Sequence, residues 1–199
     1  MRTVFRMLPI LLLAGLGLAW LAGSWLPREK TVSRAVVVDR PISQVYRHLH
    51  RAAAWRAWYT GPDADVTVGG DPEGAGGTLS LVTDDGTTMR FELTETSSPT
   101  AVRYRHHPLD EPENAVVGRV ELEPAGADRT RVRMAETGQA GAASMRWVLY
   151  MAGDAMVGAM LERTLHNLKS LAETGRTHPE TPPGAPADPG TEASDAGSG

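Results

Sequence analysis

A predicted strand with the sequence RYRHH carries most of the side chains that could take part in acid–base chemistry. Because successive strand residues point to opposite faces, the interior receives either Arg103 and Arg105 or Tyr104 and His106. Tyr104 and His106 together could polarise a ligand carbonyl group, and they are the candidate catalytic residues. His106 and His107 point to opposite sides of the strand, so the two side chains cannot both bind one metal ion with ideal geometry.

Methionine is concentrated in segments that are predicted to surround an interior. Of the eight methionines, four lie on the last predicted helix: Met145, Met151, Met156 and Met160. Because thioethers conform to varied apolar shapes, they could form the adaptable wall of a ligand cavity, and the alternative is ordinary filling of the core. The candidate cavity-lining residues are Trp55, Trp58, Met89, Phe91, Tyr104, Met134, Met145, Leu149, Met156 and Met160.

The first elements follow from local composition and spacing. Residues 31–39 are rich in β-branched side chains and predict a strand. Apolar residues at helical spacing predict one short helix over residues 42–49, and residues 52–59 predict a second. Trp55 and Trp58 lie on the second helix, where they either close the mouth of a cavity or pin the helix to the sheet.

From residue 64 to residue 138 the pattern changes to short alternating runs separated by turn residues. Six such runs predict an antiparallel meander with one wet face and one covered face. Residues 144–173 contain no proline and predict one long helix that covers the sheet. Its first half places Met145, Leu149, Ala152, Met156 and Met160 in one apolar stripe, and its second half places Val157, Leu161, Leu165, Leu168 and Ala172 in another.

This element order is that of the helix-grip fold, and local motifs agree with it. The chain resembles the SRPBCC superfamily (START-like, birch-pollen-allergen type) and its bacterial polyketide cyclase/dehydrase-like branch. The residues that carry the resemblance are 36–42 with Val45 and Tyr46, the pair Trp55 and Trp58, the glycine-rich stretch 71–78, the strand segments 88–95 and 130–132, and Asp154, Gly158, Leu165, Leu168 and Lys169 in the last helix. The resemblance implies an α+β fold with a curved antiparallel sheet of about seven strands, two short helices after the first strand, and a long C-terminal helix across the sheet.

Members of that superfamily hold apolar ligands in a deep cavity between the sheet and the long helix. The resemblance therefore implies a domain that binds a hydrophobic small molecule or lipid. A second hypothesis is a cyclase or dehydratase that acts on a polyketide-like substrate. A third is an accessory domain without catalysis that acts through its surface.

Residues Met7–Leu26 form an uncharged apolar segment that follows Arg2 and Arg6. A helix over this segment is about 30 Å long, which matches the hydrocarbon core of a bilayer. A cleaved signal peptide is the alternative, with Ala22–Ser24 as a possible cleavage site, but such peptides have shorter apolar cores. We expect a single-pass membrane anchor with the domain outside the cytoplasm.

The predicted organisation is a basic N-terminal segment over residues 1–6, the apolar segment over 7–26, a linker over 27–30, the folded domain over 31–173 and a tail over 174–199. The tail lacks large apolar residues and is expected to be disordered. With a net charge of −4 the chain has no basic field for nucleic acid, and without cysteine it has no disulfides, zinc–thiolate sites or thiol nucleophiles. We expect no metal and no cofactor, because no phosphate-binding loop or zinc-binding helix motif is present.

Overall fold

The computed structural model describes residues 15, 20, 23–60, 65–71, 74–83 and 85–176. The strands are β1 (Glu29–Val38), β2 (Val66–Gly70), β3 (Gly77–Val82), β4 (Thr88–Ser97), β5 (Ala101–Pro108), β6 (Val116–Pro124) and β7 (Thr130–Gln139). The helices are a first short helix (Ile42–Tyr46), a second short helix (Ala52–Trp55) continued by a π-helical turn (Arg56–Thr60), a 3₁₀ turn (Pro112–Asn114) and the long helix (Ala143–Thr174).

The seven strands form one antiparallel sheet in the order β1-β7-β6-β5-β4-β3-β2. The strands from β2 to β7 pair with their neighbours in the chain, and β1 adds to the outer edge of β7 over its whole length. The long helix packs on β1 and on the π-helical turn, while the second short helix lies against β3 and β4. The predicted α+β helix-grip architecture is confirmed.

The long helix is held to the sheet by the second of its two predicted stripes. Leu161, Leu165 and Leu168 are buried, and Val157 and Ala172 are partly buried against the same core. At 100° per residue the first stripe lies roughly 140° round the helix from Leu161, so only one stripe can face the sheet. The prediction that the first stripe lines an interior space is therefore wrong for its exposed members, Met145 and Met156.

Two ion pairs join the long helix to β1. Lys30 Nζ lies 2.8 Å from Asp154, and Arg34 Nε lies 2.6 Å from Glu162. The Arg34 guanidinium passes directly over Gly158, where a Cβ atom would lie 2.1 Å from Arg34 Nη2. A glycine at this position therefore lets the edge strand and the helix approach each other.

The apolar segment predicted over residues 7–26 lies mostly outside the described residues, as does the tail from residue 177 onward. Among the described residues, no helix has the length and apolar character needed to cross a membrane. Residues 23–25 are helical, and the buried Gly23 lies against Ala143 and Trp147 at the start of the long helix.

Candidate functional site

Strand β5 turns Tyr104 and His106 into the interior and Arg103 and Arg105 outward. The two arginines face Glu95 and Glu92 of β4, and the shorter of the pairs joins Arg105 Nη2 and Glu92 Oε2 at 2.7 Å. Tyr104 is 1% exposed, and the side chain of His106 is 13% exposed. The sheet thus resolves the ambiguity that alternation alone leaves open for this strand.

Tyr104 and His106 meet a buried carboxylate from the other half of the sheet, Glu136 on β7. The Tyr104 hydroxyl donates a 2.6 Å hydrogen bond to Glu136 Oε1, and the Tyr59 hydroxyl donates one of 3.0 Å to the same oxygen. His106 Nε2 lies 3.5 Å from Oε1, beyond ordinary hydrogen-bonding distance. Three side chains that can carry a proton therefore converge on one carboxylate oxygen. Tyr59, Tyr104, His106 and Glu136 are called the Glu136 cluster below.

Gly118 on β6 makes this convergence possible. It lies between Tyr104 of β5 and Glu136 of β7 in the register of the three strands. A Cβ atom at Gly118 would be 2.0 Å from Tyr104 Cζ, so the phenol ring occupies the space that any other side chain would fill. The missing side chain lets Tyr104 reach across β6 to the carboxylate.

Aromatic side chains enclose the cluster. The Trp55 ring packs on its edge against Tyr104 with the ring centroids 4.8 Å apart, and Tyr59 packs in the same way on Phe91 at 4.8 Å. Phe91 in turn stacks on His106, with the centroids 5.0 Å apart. The Glu136 cluster is thus a polar group inside an apolar interior.

Burial and hydrogen bonding set the charge state of this cluster. Burial acts to raise the pKa of Glu136, but His106 and the hydroxyls of Tyr104 and Tyr59 outweigh it and hold that pKa below its ordinary value. Burial, with the nearby charge of Glu136, raises the pKa of Tyr59 well above 10. Burial also raises the pKa of Tyr104 well above 10, together with its neighbours Tyr59 and Glu136. At neutral pH the cluster is therefore an ionised carboxylate that accepts hydrogen bonds from two neutral phenols.

The free space beside the cluster is small. An internal space of about 10 Å³ lies next to Trp55, Phe91, Leu93 and Tyr104, which is room for about one water molecule. Pockets for drug-sized ligands are commonly about 300–1,000 Å³. A ligand of that size therefore requires the surrounding side chains to move.

The structure brings only part of the predicted cavity lining together. Phe91, Tyr104 and Met134 are buried, and Met89 and Met160 are partly buried against the same core. Leu149 is half-buried near Gly138 and Gly153, in the first half of the long helix. Met145 and Met156 are exposed, as described above.

Both tryptophans of the second short helix and its π-helical turn are buried and hydrogen-bonded to the backbone. Trp55 Nε1 donates to the Leu49 carbonyl at 2.7 Å, and Trp58 Nε1 donates to the His48 carbonyl at 3.0 Å. These bonds favour the interpretation that the rings fix the short helices, while the face of Trp55 also borders the small internal space.

Sequence reasoning missed Glu136, although a signal for it was present. In the segment RVRMAET the apolar residues Val132 and Met134 alternate with arginines, and the next inward position is Glu136. A carboxylate on the same face of a strand as buried residues is itself buried, and a buried charge needs hydrogen-bond or ion-pair partners. Within the described part of the chain, no group of three or more His, Asp or Glu side chains is placed to hold a metal ion.

A seven-stranded antiparallel sheet gripped by one long helix, with a polar cluster in its interior, defines a helix-grip domain. The chain belongs to the family described as polyketide cyclase / dehydrase and lipid transport, which it matches over residues 29–173. No match is found among the curated proteins.

Solved structures share this fold at low sequence identity. An aromatase/cyclase from Streptomyces sp. R1128 is 16% identical with a TM-score of 0.52, and the match covers 75% of this chain and 99% of that one. A norcoclaurine synthase point mutant from Thalictrum flavum is 13% identical with a TM-score of 0.51, covering 69% and 94%. DynU16, a putative protein in the dynemicin biosynthetic locus, is 16% identical with a TM-score of 0.54; the match covers 74% of this chain and about half (48%) of that one.

Proposed function

We propose that this protein binds a hydrophobic small molecule or lipid between the sheet and the long helix, with the polar end of the ligand at the Glu136 cluster. The observation that carries the proposal is the cluster itself. A buried carboxylate and its partners destabilise an apolar core unless every group is satisfied. In the described part of the chain, neither ring nitrogen of His106 has a hydrogen-bond partner. A ligand with a polar end would satisfy it.

The charge state of the cluster indicates the kind of polar end that fits. Glu136 is ionised and faces two phenol donors and an imidazole, so the cluster offers both donors and acceptors. A hydroxyl group can donate to the carboxylate and accept from Tyr104 or His106, and a carbonyl group can accept from either. The enclosing aromatic rings favour an apolar body. An apolar molecule with a hydroxyl or carbonyl end is therefore the expected ligand class.

Binding requires the interior to open, because the present space holds about one water molecule. Tyr59, Met89 and Met160 are only partly buried at the border of the core, and movement of their side chains would enlarge the interior. Of these, Tyr59 is also a member of the cluster. Its movement would couple the opening of the interior to the release of a hydrogen-bond donor for the ligand.

Native mass spectrometry of the full chain extracted from membranes tests this proposal. A co-purifying small molecule is expected in the wild type and reduced in Glu136→Gln and Tyr104→Phe, whereas Glu123→Gln on the exposed face of β6 keeps it. The fluorescent apolar probe N-phenyl-1-naphthylamine should bind saturably and be displaced by the same molecule. If no mass co-purifies and the probe shows no saturable binding, the ligand-binding proposal fails and the accessory-domain hypothesis gains support.

A second candidate function is a cyclase or dehydratase, favoured by the convergence of Tyr104, Tyr59 and His106 on one oxygen of Glu136. In such a reaction Glu136 would take a proton from a carbon next to a carbonyl group, while a tyrosine hydroxyl turns to the carbonyl oxygen and stabilises the developing charge. A synthetic poly-β-keto thioester tests this candidate. Mass spectrometry measures the loss of water from the thioester. A loss that requires both Glu136 and Tyr104 would support an enzyme.

We also propose that residues 7–26 attach the protein to a membrane and leave the domain outside the cytoplasm. The support is the uncharged apolar run, whose length matches the bilayer core. In its native host the protein should remain in the membrane pellet after a high-salt wash, with its N-terminal residues intact. A soluble product that begins at Trp25 would show that a signal peptidase removes the segment.

A further inference from the structure

The first half of the long helix is apolar on the side that faces away from the sheet. Met145 and Val148 are each 56% exposed, Met151 is 73% exposed and Met156 is 69% exposed. Ala155 and Ala159 are exposed on the same side. At 100° per residue these six side chains span an arc of about 140° that contains no charged residue. This surface is called the outer apolar face.

The second half of the same helix shows the opposite pattern. Glu162, Arg163 and His166 are exposed on the outward side, directly after the outer apolar face ends. A surface helix of a water-soluble domain normally carries polar residues on its outward side, as this second half does. Contiguous exposed apolar surface of this kind marks a contact with a membrane or a partner.

The N-terminal apolar segment joins the domain at the end of the helix where the outer apolar face begins. Gly23 lies against Ala143 and Trp147, in the first two turns of the long helix. Arg146 is buried and donates to the carbonyl oxygens of Ser24 at 3.2 Å and Leu26 at 3.5 Å, as well as to two carbonyls just before the helix. The chain that leaves the apolar segment is thus fixed to the start of the long helix.

Exposed tryptophan side chains near this junction are a further sign of contact with a bilayer. Trp25 is 84% exposed and Trp147 is 37% exposed, and Trp20 within the apolar segment is 65% exposed. Tryptophan side chains prefer the headgroup region of a bilayer. We infer that the outer apolar face of the long helix lies against the lipid surface and forms a second membrane contact, parallel to the bilayer, beside the anchor. This inference rests on the membrane attachment proposed for residues 7–26.

Such a contact would cover apolar side chains that are otherwise exposed to water. The first half of the long helix would then be covered by lipid on one side and by the edge strand β1 on the other. A helix whose apolar face is buried at the membrane–water interface binds more strongly as it buries more apolar area, and electrostatic attraction to anionic lipids adds to the binding.

The chain contains no cysteine, so one introduced cysteine can be spin-labelled without background. The full chain is reconstituted in vesicles of phosphatidylcholine and phosphatidylglycerol with a label at Met151→Cys, at His166→Cys as the matched outward control, or at Leu16→Cys in the anchor. At position 151 we expect collisions with oxygen to exceed those with a water-soluble nickel chelate several-fold. At position 166 we expect the reverse.

The three labels distinguish the inference from the anchor proposal. A label in lipid at 16 and in water at 151 overturns the inference alone. Labels in water at both positions overturn both proposals. Lipid at 151 with water at 16 supports lipid contact by the outer apolar face but overturns the anchor proposal and, with it, the inference of a second contact beside the anchor. Dipolar broadening at 151, without contact with lipid, would show that a second copy of the chain covers the face and would also overturn the inference.

Discussion

The phenol ring of Tyr104 lies directly over Gly118 on the neighbouring strand, and a Cβ atom at Gly118 would come within 2.0 Å of the ring. This placement lets the Tyr104 hydroxyl reach Glu136 on β7, two strands away from β5. A position without a side chain is therefore as necessary to the cluster as the polar residues themselves.

We predict that Gly118→Ala displaces the Tyr104 ring and breaks its bond to Glu136. Overpacking of a filled core typically costs about 1–3 kcal/mol of unfolding free energy, measurable by urea denaturation. Gly138→Ala is the matched control on β7, because a Cβ atom there meets only Leu149 at 4.0 Å. Equal stabilities for the two variants would contradict the close approach.

Glu136→Gln removes the charge on which the two phenols converge. We expect a loss of about 1–3 kcal/mol at pH 7, since hydrogen bonds to charged groups are the stronger ones. The folded-state pKa of Glu136 is lowered, so its stabilising contribution is present above its ordinary pKa of 4.5 and is lost as the pH falls through the folded-state value. The difference between wild type and variant should therefore shrink in acid, and a difference that grows below pH 4.5 would refute this view.

The raised pKa values of Tyr59 and Tyr104 predict a titration in which these two of the four tyrosines stay neutral well above pH 10. Absorbance at the phenolate band is the measurement. Tyr59→Phe and Tyr104→Phe should leave the signal below the alkaline unfolding transition unchanged. Because the folded-state pKa is raised, the stability that each phenol contributes is present below pH 10 and is lost as the pH rises further. A phenolate step near pH 10 that disappears in Tyr104→Phe would show that the cluster is open to water.

Two truncations on the long helix separate its packed and exposed stripes. Leu165 is 1% exposed, so Leu165→Ala should cost about 2–5 kcal/mol, whereas Met156→Ala on the outer apolar face should cost less than about 1 kcal/mol. Urea denaturation of both variants measures the difference. Equal losses would mean that Met156 is packed in the folded protein.

Arg146→Met should loosen the junction between residues 24–26 and the long helix. The guanidinium donates to four backbone carbonyls, and a charged donor is commonly worth about 1.5–3 kcal/mol. Trypsin should then cleave after Arg28 faster than in the wild type, while Arg163→Met on the exposed face leaves the rate unchanged. An unchanged rate in Arg146→Met would show that other contacts hold the junction.

Much of the architecture can be predicted from local patterns. The order of the strands, the two short helices and the long helix follow from alternation, turn residues and helical spacing, which depend on neighbours within a few residues. The burial of Leu161, Leu165 and Leu168 follows in the same way. The sequence by itself also determines the uncharged run of residues 7–26 and the absence of cysteine.

Only the tertiary structure decided which residues meet. Alternation left the inward face of β5 open. In the structure Tyr104 is buried in the aromatic core, while Arg103 and Arg105 pair with glutamates on the outer face of β4. Glu136 joins Tyr104 from 32 residues away through the pairing of three strands. The long helix carries two predicted apolar stripes of five residues each. Contact with β1 and the π-helical turn buries the second stripe. Met145 and Met156 of the first stripe remain exposed. Local patterns show which side chains of an element share an apolar face. The packing of elements that are distant in sequence decides what covers that face.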